Sequence, residues 1–287
     1  MKPGAIPKIR AELIADATTS VATFDLNPDL VAAQPAVAHA QRAIADSLPA
    51  AGLFLVAQAM TAAAVDAARD VPPTTLLEVW PEQTAGIMAF EGGLPVLDAR
   101  GTPVRPEVMT WCHDDHNAYF QLLARTSSLT GPIAQIAAAG GLTWFPVVSC
   151  QTDLIEPLDL DDFSNPNSPR CVSLALATWI LMTTPTMADT RAVTAAGPRV
   201  GAGGRRDVAR PVKVVELRRL AHKPTQPGET DHAGRVYRHR WVVRGHWRQQ
   251  AHGPGRSERR TTWVPSYVKG PQDAPFLPAE TVFVWRR

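Results

Sequence analysis

No stretch of this chain comes near the roughly eighteen uncharged apolar residues that a membrane-spanning helix needs. The longest apolar run, residues 48–60 (LPAAGLFLVAQAM), is too short to cross a bilayer and is followed by Asp66, Arg69 and Asp70. Cysteine is scarce as well: Cys112, Cys150 and Cys171 are odd in number and far apart, which argues against a disulfide scaffold and for reduced thiols. The opening residues, MKPGAIPKIRAELIAD, hold no apolar core ahead of a small-residue cleavage site. No secretory signal is read there, so a cytoplasmic location and no membrane partner are expected. Charged residues make up 20 % of the 287 and hydrophobic ones 45 %, the balance of a chain that buries a core and not of a disordered one.

Several chemical signatures are missing too. There is no Walker loop, no GxGxxG after a strand, no G-x-S-x-G elbow and no HExxH. The run Gly201-Ala-Gly-Gly lacks both a lysine and a following helix, and reads as linker. The sequence therefore implies no cofactor and no metal.

What the chain does have is an uneven distribution of charge. Residues 1–190 carry 9 Lys+Arg against 20 Asp+Glu, a balance of −11. Residues 191–287 carry 20 Lys+Arg against 7 Asp+Glu, a balance of +13, and five of the eight histidines. Opposed halves of this kind point to a polyanion for the basic part, RNA or DNA, or to intramolecular contact between the acidic and basic domains. Arginine outnumbers lysine 24 to 5, which fits a high-GC genome and is not in itself a mark of phosphate binding.

The apolar pattern divides the chain into three. Residues 28–70 read as two alanine-rich helices: Leu30, Val31, Val37 and Ile44 sit at helical spacing, and Leu53, Val56, Ala57, Met60 and Ala64 resume it after Ser47-Leu-Pro. Residues 74–151 change to strand chemistry, with short runs at 76–80, 86–91, 94–97, 102–111, 119–124 and 142–149 separated by Gly and Pro, hence a mainly antiparallel sheet. An acidic loop at 156–169 leads into a helix at 170–182. Residues 195–206 (AAGPRVGAGGRR) read as a flexible linker. Beyond it, strand-like runs at 212–217, 236–248, 260–268 and 281–287 suggest a small barrel or twisted antiparallel sheet. The fold class expected is α+β: N-terminal helices on an antiparallel sheet, then a small basic β-barrel-like C-terminal domain. The expected boundaries are an acidic domain at 1–190, a Gly/Arg-rich linker at 191–210 and a basic β-rich domain at 211–287.

Three clusters carry potential chemistry. Cys112-His113-Asp114-Asp115-His116 gathers metal-ligating types, but no second ligand pair follows downstream, and it reads as the polar end of a strand. Glu156, Asp159, Asp161 and Asp162 lack the spacing of a calcium loop and read as a solvated acidic segment. The third, residues 236–248 (VYRHRWVVRGHWR), interleaves four arginines and two histidines with three aromatics. Guanidinium groups take phosphates and rings stack on bases, at about 1–3 kcal/mol per base. The nucleic-acid-binding residues expected are Arg238, Arg240, Trp241, Arg244, His246, Trp247, Arg248, Trp263, Tyr267 and Lys269. If the run is extended, Arg244, His246 and Arg248 share one face and Trp247 takes the other. In a small barrel the tryptophans are instead core. An enzymatic alternative places His246 as the catalytic group of a metal-independent ribonuclease-type toxin, since that chemistry needs an acid or base near neutrality beside cations. A third reading is a structural or protein-interaction role.

The run His239-Arg-Trp-Val-Val-Arg-Gly-His-Trp-Arg-Gln249, with residues 260–271 (RTTWVPSYVKGP) and 281–286 (TVFVWR), resembles the C-terminal signature of a family of uncharacterised proteins. Its members come from actinobacteria, their phages and plasmids. Residues 80–91 (WPEQTAGIMAFE) and 179–185 (WILMTTP) are similar to the same family, so the likeness spans most of the chain. The resemblance transfers no activity and no catalytic residue. It implies a mobile-element setting, which favours nucleic-acid binding or a toxin-like or defence role over metabolism.

Overall fold

A computed structural model describes residues 1–72, 74–99, 101–184, 187–194, 211–218, 241–243, 245–264 and 267–269. Two compact units divide the chain, Met1–Arg218 and Arg219–Arg287.

The first unit opens with three helices, α1 (Ile6–Asp25), α2 (Pro28–Ala33) and α3 (Pro35–Ser47), each with proline in its first turn, where no backbone N–H is needed. Then come β1 (Gly52–Val56), α4 (Gln58–Ala67), the single turn α5 (Leu76–Val79) and β2 (Gly86–Phe90). A small hairpin, β3 (Leu97–Ala99) with β4 (Thr102–Val104), precedes the meander β5 (Val108–His113), β6 (Asn117–Arg125) and β7 (Trp144–Asp153). Helix α6 (Gly131–Ala139) lies between β6 and β7, and α7 (Ser168–Thr183) leads to β8 (Ala188–Thr194) and β9 (Pro211–Leu217).

Seven of these strands form one sheet in the order β7-β6-β5-β2-β1-β9-β8. The sheet is mixed: β1 runs parallel to β2 and to β9, and the other neighbours are antiparallel. This corrects the expected antiparallel sheet. Residues 53–56 (Leu-Phe-Leu-Val) are apolar at every position and buried on both faces, so they show none of the alternation that marks a one-sided strand. Their spacing to Ala57, Met60 and Ala64 made strand and helix read as one helix. Conversely, residues 76–79, read as a strand, form a helical turn. The expected N-terminal helices on a sheet and the helix near 170–182 are present.

Alternation along the strands sends two sets of side chains to two helix layers. Leu53, Leu55, Val108 and Val214 pack with Ile9 and Leu13 of α1 and Ile44 of α3. On the opposite face Phe54, Trp111 and Phe120 form an aromatic cluster in which Trp111 and Phe120 lie 5.6 and 5.9 Å from Trp179 of α7. Gly86 makes that cluster possible, because a Cβ there would overlap the Trp111 indole. Among the described residues no helix is long and apolar enough to cross a membrane.

The second unit contains β10 (Trp241–Val243), β11 (His246–His252), β12 (Glu258–Val264) and β13 (Tyr267–Lys269). β10 pairs with β13 and β11 with β12, both antiparallel. The register is the same in both pairs, from Val243↔Tyr267 to His246↔Val264. Among the described residues these pairs close no barrel, so the barrel-like sheet expected from the sequence is not found. The strand at 211–217, assigned to the basic domain by sequence, is β9 and pairs with β1 inside the first unit, so the compact units divide at Arg218. The expected linker at 195–206 and strand at 281–287 lie outside the described residues.

Candidate nucleic-acid interface

β11 and β12 match residue for residue, from His246↔Val264 and Trp247↔Trp263 to His252↔Glu258. Alternation then separates two faces. One carries Trp247 and Trp263 directly opposite one another, their ring centroids 5.1 Å apart and inclined at 63°, an edge-to-face pair. Trp263 is only 4 % exposed, and Trp247 is half-buried. Further along this face Gln249 Nε2 donates to Thr261 Oγ1 at 3.0 Å. The other face holds His246, Arg248, Gln250 and His252 of β11 with Glu258 and Arg260 of β12, all exposed. Arg248 stands opposite Thr262 and Gln250 opposite Arg260, so the two arginines are diagonal neighbours.

The ribbon turns through residues 253–257, where Gly253 and Gly255 take φ of 77° and 62° and Arg256 follows at 59°. Glycine is required at 253: the left-handed backbone disfavours any side chain, and a Cβ would come within 2.8 Å of the Glu258 carboxyl. Just inside the turn His252 Nε2 meets Glu258 Oε2 at 3.1 Å.

The expected site residues are thus placed unequally. His246 and Arg248 share the exposed face, as alternation suggested, with Trp247 opposite. Trp241 and Tyr267 belong to β10 and β13, and Lys269 pairs with Trp241 and is half-buried. Arg238, Arg240 and Arg244 lie outside the described residues. Gln250 and Arg260 join Arg248 on its face without having been singled out; Gln250 follows from the same alternation along β11, and the cross-strand register adds Arg260.

The Cys-His-Asp-Asp-His run has a different role. Cys112 points into the core, where burial pushes its thiol up to about 11. His113 packs edge-on against Trp80 at 4.9 Å. Asp114 organises the β5–β6 turn: Oδ1 accepts the backbone N–H of His116 at 2.9 Å and of Asn117 at 2.7 Å. Its Oδ2 accepts the Tyr119 hydroxyl at 2.5 Å and meets His39 Nε2 of α3 at 3.1 Å. Partial burial works to raise this carboxyl, but the Tyr119 hydroxyl, the two N–H groups and His39 together outweigh it and hold Asp114 well below the usual carboxylate range. The donors of the run therefore diverge, and among the described residues no three metal-ligating side chains converge. The acidic loop at 156–162 is exposed at Glu156, Asp159, Asp161 and Asp162, and Asp159 Oδ1 closes its own turn on Asp161 N–H at 2.9 Å.

Taken together, the chain is an α+β protein that joins a sheet covered by helices on both faces to a basic two-stranded ribbon. Residues 159–268 match the sequence profile of the AcrVA2-like family, described as the anti-CRISPR type V subtype A2 family. The match covers less than half of the 287 residues, so the chain is similar to that family over α7, β8, β9 and the ribbon. A search of curated proteins gave no match. The profile match agrees with a mobile-element setting.

Proposed function

We propose that this chain is a nucleic-acid-binding protein of a mobile element, directed at bacterial defence, which grips RNA or DNA phosphates through its basic C-terminal part. The observation that carries the proposal is the exposed ribbon face on which His246, Arg248 and Arg260 stand together. Guanidinium groups on a rigid ladder present several donors to phosphate oxygens at little entropic cost. Arg238, Arg240, Arg244 and Lys269 add positive charge, and Trp241 and Tyr267 aromatic residues, on either side in the sequence. Trp263 anchors the ribbon from behind. The acidic residues 1–190 set access to the basic part or recruit a partner. The profile match supports the setting, because its family is described as anti-CRISPR and the matched stretch takes in the ribbon.

A mobility-shift titration of the full chain with labelled single-stranded RNA and duplex DNA tests this. At roughly 50 mM salt a shift with intact probe is expected, weakening steeply by about 200 mM. A shortened probe would replace binding by the ribonuclease reading, and H246A would then abolish the cleavage if His246 is its catalytic group. Absence of any shift at either salt would reject nucleic-acid binding in favour of a protein-interaction role.

A further inference from the structure

The ribbon's two faces narrow the choice of nucleic acid. A single strand is held by rings that lie open for bases to stack on. Here the ring of Trp263 is buried and the half-buried Trp247 packs edge-to-face with it, so the two rings turn much of their surface to one another and leave less of it for a base. The exposed face offers guanidinium, amide and imidazole groups instead. Resting on the nucleic-acid reading above, we infer that the ribbon takes double-stranded DNA and enters its major groove with the face of His246, Arg248, Gln250 and Arg260.

Dimensions support the fit. Paired strands lie about 4.8 Å apart, and the B-form major groove, about 12 Å wide, admits a two-stranded ribbon with its side chains. The major groove of an RNA duplex is too narrow for side chains to read. The chemistry of the face fits base edges as well as phosphates. Arginine donates in bidentate fashion to guanine and glutamine pairs with adenine, and Gln250 stands opposite Arg260 and two residues from Arg248. Glu258 is the one carboxylate on this face. It lies at the turn end, paired with His252, and repels phosphates there. The DNA is therefore engaged from the His246 end of the ribbon.

The full-length protein would be titrated against a 20-base-pair DNA duplex, the RNA duplex of the same sequence and one DNA strand alone, each at about 100 mM salt. The expected result is at least about tenfold tighter binding to duplex DNA, displaced by the major-groove ligand methyl green and not by the minor-groove ligand netropsin. R248A and R260A should each weaken duplex binding by about tenfold while melting at the wild-type temperature, since both side chains are exposed. Equal or tighter binding to the single strand or the RNA duplex, or displacement by netropsin alone, would overturn the major-groove assignment and leave nucleic-acid binding standing. Failure to bind any of the three would overturn both.

Discussion

Asp114 shows how much one carboxylate does in this fold. Four donors from α3, the β5–β6 turn and β6 converge on it, and one of them, His39, is 75 residues away in sequence. Because its folded pKa lies below the unfolded value of about 3.9, its contribution is complete above that value and is lost as pH falls through the folded one. D114N should therefore lower Tm at pH 7, by about 1–2 kcal/mol of stability, and flatten the fall in Tm between about pH 5 and 2. Thermal melts across that range check it; an unchanged acid slope would show that the network contributes nothing. Asp16 on α1 behaves in the opposite sense. Burial raises its pKa although its oxygens accept the N–H groups of Thr143 at 3.0 Å and Trp144 at 2.7 Å. D16A strands both donors and should cost about 1–3 kcal/mol, whereas D16N removes a half-buried charge, keeps an acceptor and should cost less. Gly86→Ala drives a methyl into Trp111 and should cost about 1–3 kcal/mol, read by chemical denaturation.

At the scale of elements, the ribbon and the first unit should respond separately. Trp263 and Trp247 form an edge-to-face pair on the ribbon, and W263A removes the buried partner. W263A is expected to loosen β11 and β12, seen as loss of hydrogen-exchange protection at 246–264, while the seven-stranded sheet keeps its protection. Loss of protection in both would mean that the ribbon supports the first unit. Elements also differ in how visible they are in the sequence. Helices α3 and α7 and the strands of the meander announced themselves by period and by Gly and Pro punctuation. β1 did not, because a strand buried on both faces carries no alternation. Helix α1 went unassigned although it supplies Ile9 and Leu13 to the core and clamps β7 through Glu12, whose Oε2 accepts Trp144 Nε1 at 2.9 Å. Part of the exposed ribbon face was legible by alternation along β11: His246 and Arg248 were read so, and Gln250 follows from the same period. Arg260 joins it through cross-strand register, which a linear pattern does not encode.

For the whole molecule the governing quantity is charge. Residues 1–190 at −11 and residues 191–287 at +13 make any polyanion contact strongly dependent on ionic strength. Binding through phosphates releases counterions, so the logarithm of the association constant falls linearly with the logarithm of salt concentration, by about 0.9 for each phosphate neutralised on a DNA duplex. The most direct test is that slope, measured for the full-length protein and for R248A/R260A with duplex DNA between about 50 and 200 mM salt. The ribbon interface requires a negative slope for the wild type and one shallower by about two for the double variant. An identical slope in both, or no dependence on salt, would contradict it.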